Sequence, residues 1–246
     1  MTGARLSAPL GVSEGRAPSS FWPVGLTVAV LVVSNVVSNR LLPGWAYVPW
    51  NAAVAVLLIV LARRVDHLLR IDLGIANVRH GLKIGAILMA AVLAVYLVAW
   101  ALPATHGLFK DRRVGERSAA AMLYEVCIRI PFGTVLLEEV AFRGVLLGHL
   151  GSRLHWRMGL LVSSLLFGLW HVLPAWAINT VNPVLRSSGV SRPLAVLGAV
   201  LSTGVAGLFM GWVRIRARSV LAPVMIHIAT NSFGFAIAWL VVRHGG

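Results

Sequence analysis

LEEVAFRG, residues 137–144, places two adjacent glutamates and an arginine in a stretch that otherwise has the composition of a membrane helix. A charge at the centre of a bilayer costs roughly 2.5–3.5 kcal/mol per residue on insertion scales. Either the stretch lies outside a membrane, or its charges have a task inside one. The flanking sequence decides. Moving outward, apolar runs recur at about 21–41, 45–62, 83–102, 119–150, 157–175, 193–213 and 219–242. Several reach the ~20 residues needed to cross the hydrocarbon core. The 119–150 run is too long for one simple crossing and holds Pro131, Gly133, Gly144 and Gly148, so a break into two pieces is expected there. The fold class that follows is all-α: a polytopic integral membrane helix bundle of seven to eight transmembrane helices.

Composition agrees. The 246 residues are 58% hydrophobic and only 12% charged, where a soluble domain carries about 25% charged residues. Mean hydropathy is +0.83. The net charge of +14 would suggest nucleic acid in a soluble protein. Here the bases lie between apolar spans, so anionic lipid headgroups are the expected partner and nucleic acid is not. Only Lys83 and Lys110 among the 22 bases are lysine, which points to a GC-rich bacterial genome and a multi-pass protein of a bacterial cell membrane.

Residues 1–20 form a polar tail with Gly, Ser and Pro, expected to be disordered. It is too long and too polar for the start of a signal peptide, so the first apolar run is expected to be retained. Residues 21–246 are read as a single membrane-embedded domain, with no internal repeat and the motif-bearing half at about 119–242. Residues 66–80 suit an amphipathic interfacial piece and a plain connector equally well. Basic residues fall on both sets of loops, so their distribution does not set the orientation. Cys127 is the only cysteine, which excludes an internal disulfide and a cysteine-cluster metal site.

The acids are unevenly placed. Glu14, Asp66, Asp72, Asp111 and Glu116 fall in the tail or loops, and Glu125, Glu138 and Glu139 in the 119–150 run. Among the histidines, His171 and His227 sit well inside apolar runs, and His149 lies at a helix end. Glu139 and Arg143 are four apart and share a helix face. Glu138 is turned about 100° from Glu139, free to face a cavity while Glu139 holds the arginine. FGLWH places Phe167 and His171 four apart, and HIATN does the same for His227 and Asn231. Each piece alone has a structural reading. Glu139–Arg143 and Glu125–Arg129 could simply brace helices, an intramembrane histidine could be a packing residue, and Asn is common interhelical glue. Asn35, Asn39 and Asn51 are read in that way.

Taken together, the set supports hydrolysis. A carboxylate in a pocket of low dielectric suits general-base work near neutral pH, so Glu138 beside a histidine could deprotonate a water. His227 and Asn231 could donate to an oxyanion. Other protease plans fit poorly. There is no H-E-x-x-H, no aspartate within a span, and no G-x-S-x-G around Ser163, Ser164 or Ser202. Cys127 lies in apolar surroundings that disfavour a thiolate.

EEVAFR, FGLWH and HIATN, in this order, resemble the E-E-x-x-x-R, F-x-x-x-H and H-x-x-x-N motifs of the CPBP family, the CAAX protease and bacteriocin-processing membrane proteins, also called Abi. That family includes the type II CAAX prenyl endopeptidases. The resemblance covers about residues 119–242. It implies a helical bundle with the site inside the membrane and proteolysis of membrane-associated substrates. By position, it implies Glu138 as water-activating base assisted by His171, and His227 with Asn231 as the oxyanion site. Glu139 and Arg143 would support them, and Phe167 would wall the pocket. Family members carry a metalloprotease label, for which Glu138, His171 and His227 are the candidate Zn²⁺ ligands. The same residues also make a complete metal-free site, so the cofactor stays open between Zn²⁺ and none. Bacteria generally lack CAAX prenylation, which turns attention to lipidated or bacteriocin-like peptides. Two other readings compete: a non-catalytic scaffold or bacteriocin self-immunity protein, and a transporter relaying protons through Glu138 and His171. The enzyme requires Glu138, His171, His227 and Asn231 to converge.

Overall fold

The computed structural model describes residues 20–109, 114, 117–178, 185 and 187–244. The expected disordered tail lies outside the described residues, Ser20 excepted. Among the described residues there are helices and turns and no strand. Seven apolar helices carry the architecture: α1 (Trp22–Leu41), α2 (Gly44–Arg64), α3 (Val78–Ala101), α4 (Ala119–Gly151), α5 (Trp156–Trp170), α6 (Arg192–Ala217) and α7 (Leu221–Arg243). Six of them are long and apolar enough to cross a membrane; α5 has 15 residues. At 1.5 Å per residue α5 spans about 22 Å, short of a hydrocarbon core of about 30 Å. The expected count of seven to eight crossings is therefore not reached among the described residues. Large apolar side chains such as Val56, Ile87, Val95, Leu165, Leu201 and Val205 point outward, as lipid contact requires. The chain is a multi-pass membrane protein.

The expected break in the 119–150 run does not occur: α4 is continuous over 33 residues. Two wide π-type stretches, Glu125–Val135 and Glu139–Leu146, interrupt its regular winding. Pro131 sits inside the first, where the shifted hydrogen-bond register absorbs the missing N–H. The glycines of this run are contact points and not hinges. A side chain at Gly133 would meet the Tyr47 ring at 3.0 Å. That closeness lets the Asn51 amide donate to the Gly133 carbonyl at 2.6 Å while Ser38 donates to Asn51.

Residues 65–77 form a turn-rich connector and not an interfacial helix. Its Leu68, Asp72 and Leu73 are buried. The guanidinium of Arg214 on α6, itself buried, donates to the carbonyls of Ile71 and Asp72 and, at 3.1 Å, to that of Arg143 on α4. Asp66 accepts from both terminal nitrogens of Arg153 and lies 2.6 Å from His149 Nδ1, joining the connector to the end of α4. Burial alone would raise the Asp66 carboxyl, but these bonds outweigh it and hold it below the ordinary 3.8.

The main apolar core joins α1, α2, α4 and α5 through Leu31, Leu58, Leu137, Phe142, Leu146 and Phe167. A second joins α3, α6 and α7 through Leu88, Val213 and Ile226. Helices α5 and α6 meet over small residues, the usual device where lipid removes the hydrophobic drive between helices. A Cβ at Gly168 would come within 2.6 Å of the Val200 carbonyl oxygen. Gly168→Ala is expected to destabilise by about 1–3 kcal/mol through overpacking, read as a lower thermal midpoint in detergent. Gly198→Ala, with nothing within 4 Å of the added carbon, leaves the midpoint unchanged or slightly raised.

Candidate active site

Helix α4 brings Glu138 and Glu139 into the bundle at the boundary where its second wide stretch begins. Glu139 has 0% exposure and Arg143 2%. Their Oε1 and Nη1 lie 3.0 Å apart, although Nη1 is not aligned for a hydrogen bond. The pair expected from the four-residue spacing is present, held by attraction in a medium with little screening. The Arg143 guanidinium stacks 3.9 Å from the centre of the Phe167 ring, a cation–π contact strengthened by desolvation. Its Nη2 points at Met210 Sδ at 3.7 Å.

His227 of α7 sits between the two glutamates. Its Nδ1 lies 2.7 Å from Glu139 Oε1, and its Nε2 lies 3.8 Å from Glu138 Oε2. An ionised carboxylate only accepts, so Nδ1–H donates to Glu139 and Nε2 faces Glu138. Glu139 holds Arg143 as expected, and in addition both glutamates converge on the two ends of one imidazole. Glu138 Oε1 accepts the indole N–H of Trp170 at 3.0 Å. Glu138 Oε2 is buried with no hydrogen-bond partner among the described residues.

Helix α5 ends inside the bundle, where four orphan carbonyls need donors. The Gly168 and Leu169 carbonyls accept from the N–H groups of His171 and Val172. The Trp170 carbonyl accepts from the Asn35 amide at 2.8 Å. The Phe167 carbonyl lies 2.8 Å from His171 Nδ1. That last bond requires the proton on Nδ1, so neutral His171 keeps its Nε2 lone pair for other work. The His171 ring meets Phe167 edge-on at 4.7 Å, and the same Phe167 ring meets His227 at 6.2 Å.

The structure thus gathers Glu138, Glu139, Arg143, Phe167 and His227 into one contact network and holds His171 against its Phe167 wall. Asn231 lies half-buried, four residues beyond His227 in the wide turn Ala229–Phe233. Its amide makes no hydrogen bond to the described residues and does not join the network directly. Sequence reasoning missed Trp170, Met210 and Arg214. Only Trp170 carried a signal: an indole donor three residues after Phe167, inside a stretch already marked by its histidine.

The residues set aside at sequence level have structural partners. Glu125 pairs with Arg117 at 2.7 Å and Arg129 at 3.1 Å. Ser163 donates to the Phe142 carbonyl, Ser164 to Leu160 and Ser202 to Ala199. Cys127 is exposed on α4.

Zinc would need three converging donors. Among the described residues, no group of three His, Cys, Asp or Glu side chains is arranged to hold a metal. The Nδ1 atoms of His227 and His171 are engaged with Glu139 and the Phe167 carbonyl, which leaves only the Nε2 atoms to face an ion. Glu138, His171 and His227 do not converge as a three-ligand zinc site.

Residues 120–233 match the family model described as Type II CAAX prenyl endopeptidase Rce1-like. The matched segment contains every residue of the network and leaves α1–α3 outside. Comparisons with curated proteins and with solved structures each found no match.

Arg143→Ala leaves the Glu139 charge buried beside a single partner, and is expected to destabilise by about 3–5 kcal/mol. Combining it with Glu139→Gln is expected to recover a substantial part of that loss. Thermal midpoints of the two single variants and the double variant check this. Additive losses would mean that the two side chains do not depend on each other.

Proposed function

From the match of residues 120–233 to the Rce1-like family model, we propose that the chain is an intramembrane endopeptidase of the CAAX protease (CPBP) family. Its substrates are peptides that are membrane-associated, lipidated or bacteriocin-like. One observation carries this reading: a buried glutamate, Glu138, with one oxygen tied to Trp170 and the other without a hydrogen-bond partner among the described residues, 3.8 Å from a histidine nitrogen.

Glu138 Oε2 takes a proton from a water whose oxygen attacks the peptide carbonyl carbon. His171, with its Nε2 lone pair free, assists the proton transfer. The carbonyl oxygen becomes an oxyanion, which accepts from His227 and from the Asn231 amide. His227 can donate there only when Nε2 carries a proton, because its Nδ1–H is committed to Glu139. In that state Glu138 and Glu139 balance Arg143 and His227, and the buried cluster is neutral overall. The proton held by Glu138 then passes to the departing amine as the C–N bond breaks. Glu139 and Arg143 orient His227, and Phe167 separates the two histidines.

An apolar groove of about 710 Å³ supports a membrane-borne substrate. Leu169, Val172, Trp176, Pro193, Val196 and Val200 are among its lining. It opens beside the α5 turn that carries Trp170 and His171, and Arg192 lies over Trp176 at its rim. The basic loops meet anionic headgroups of what we take to be a bacterial cell membrane.

The test is cleavage in nanodiscs by wild type and Glu138→Ala, with and without a chelator. The probes are an internally quenched farnesylated CaaX peptide and a pool of lipidated host membrane peptides. Loss of general-base help is worth about 10²–10⁴-fold, so Glu138→Ala is expected to fall by at least that factor, with chelator harmless to wild type. Chelator loss restored by Zn²⁺ would instead require a metal. Equal cleavage by both proteins would remove Glu138 from the reaction. No cleavage of either probe by wild type would favour the scaffold or self-immunity reading.

A further inference from the structure

We propose that Trp170 is the positioning residue for Glu138, a role that rests on the hydrolase reading above. The indole N–H donates to Oε1 at 3.0 Å. This bond gives the two carboxylate oxygens different fates. Oε1 is saturated on its bundle side, while Oε2 is presented toward His227 Nε2. Without the indole, the carboxylate could rotate about its last bond and exchange its oxygens, because terminal torsions of this kind have broad wells. A base that must meet a water in one geometry loses rate when it samples others.

Trp170 is held at its ring and at its main chain. Its ring meets Phe142 edge-on at 5.8 Å. Phe142 in turn meets Phe167 at 5.1 Å, which ties the indole to the wall of the site. The Trp170 carbonyl is held by Asn35 of α1, and the Asn35 side-chain oxygen accepts from Asn39. A line of contacts therefore runs from α1, outside the family-matched segment, to the base on α4. Trp170 is the last residue of α5, at the point where the helix stops inside the bundle. The short length of α5 places the indole at the depth of Glu138.

Two measurements test the role. The first needs no substrate. In ¹⁵N-tryptophan protein in nanodiscs, the Trp170 indole resonance is identified by its loss in Trp170→Phe. It is expected to move in Glu138→Gln, where a neutral amide replaces the charged acceptor of the indole N–H. An indole resonance indifferent to that change would overturn the contact.

The second replaces Trp170 with 3-benzothienylalanine, which keeps the ring shape and loses the N–H. A hydrogen bond to a charged group is worth enough to lower kcat about ten- to hundredfold when removed. KM for the quenched farnesylated peptide is expected to stay within about twofold, and the acidic limb of the kcat/KM profile is expected to move to higher pH. A merely structural role would lower the thermal midpoint without moving that limb. Unchanged kcat and an unchanged limb, with Glu138→Gln inactive, would overturn the positioning role alone. Full activity in Glu138→Gln would remove Glu138 from the reaction, and the positioning role with it, while no cleavage by wild type would overturn the hydrolase reading.

Discussion

Glu139 has no exposed surface, and a charge in that position must be matched. Its carboxylate is shared by Arg143 from its own helix and His227 from α7. Breaking such a buried pair is strongly unfavourable, so α4 and α7 are held in one register. That register sets the second imidazole nitrogen toward Glu138. Phe167 then covers the arginine, Met210 receives its far side, and Arg214 grips the Arg143 carbonyl. The site is therefore an outcome of satisfying one buried acid with protein groups.

The same requirement shapes α5. A helix that stops inside a bilayer exposes carbonyls that lipid cannot satisfy. Asn35 answers one and His171 Nδ1 another, and in doing so His171 is left with a defined tautomer. Capping and chemical preparation are the same hydrogen bond here. The apolar groove lined by Leu169 and Val172 lies beside the same turn.

Much of this was legible in the sequence. The polar residues of the motif helices stood out against apolar runs, and their i, i+4 spacing correctly paired Glu139 with Arg143. The packing reading of Asn35 and Asn51 also agrees with their bonds to main-chain carbonyls. What was not legible was anything set by distance between helices. Spacing suggested that Glu138 and Glu139 face different ways, but it could not show an imidazole wide enough to meet both. Pro131 and its neighbouring glycines read as a break, because a proline-tolerant wide turn has no sequence signature separate from a kink. The length of α5 was overestimated for a related reason: hydropathy continues past Trp170, while the helix ends there on caps from a distant strand of sequence. Asn231 was marked by its spacing from His227 and by the H-x-x-x-N resemblance, and its amide stays outside the network.

The central claim is that Glu138 activates a water and does not itself attack the peptide. Single-turnover cleavage in H₂¹⁸O, followed by mass spectrometry of both product and enzyme, tests it most directly. The account predicts one ¹⁸O atom in the new product carboxylate in the first turnover and none in the Glu138 peptide. An unlabelled first-turnover product with ¹⁸O appearing on Glu138 would show attack by the carboxylate through an anhydride, and would contradict it.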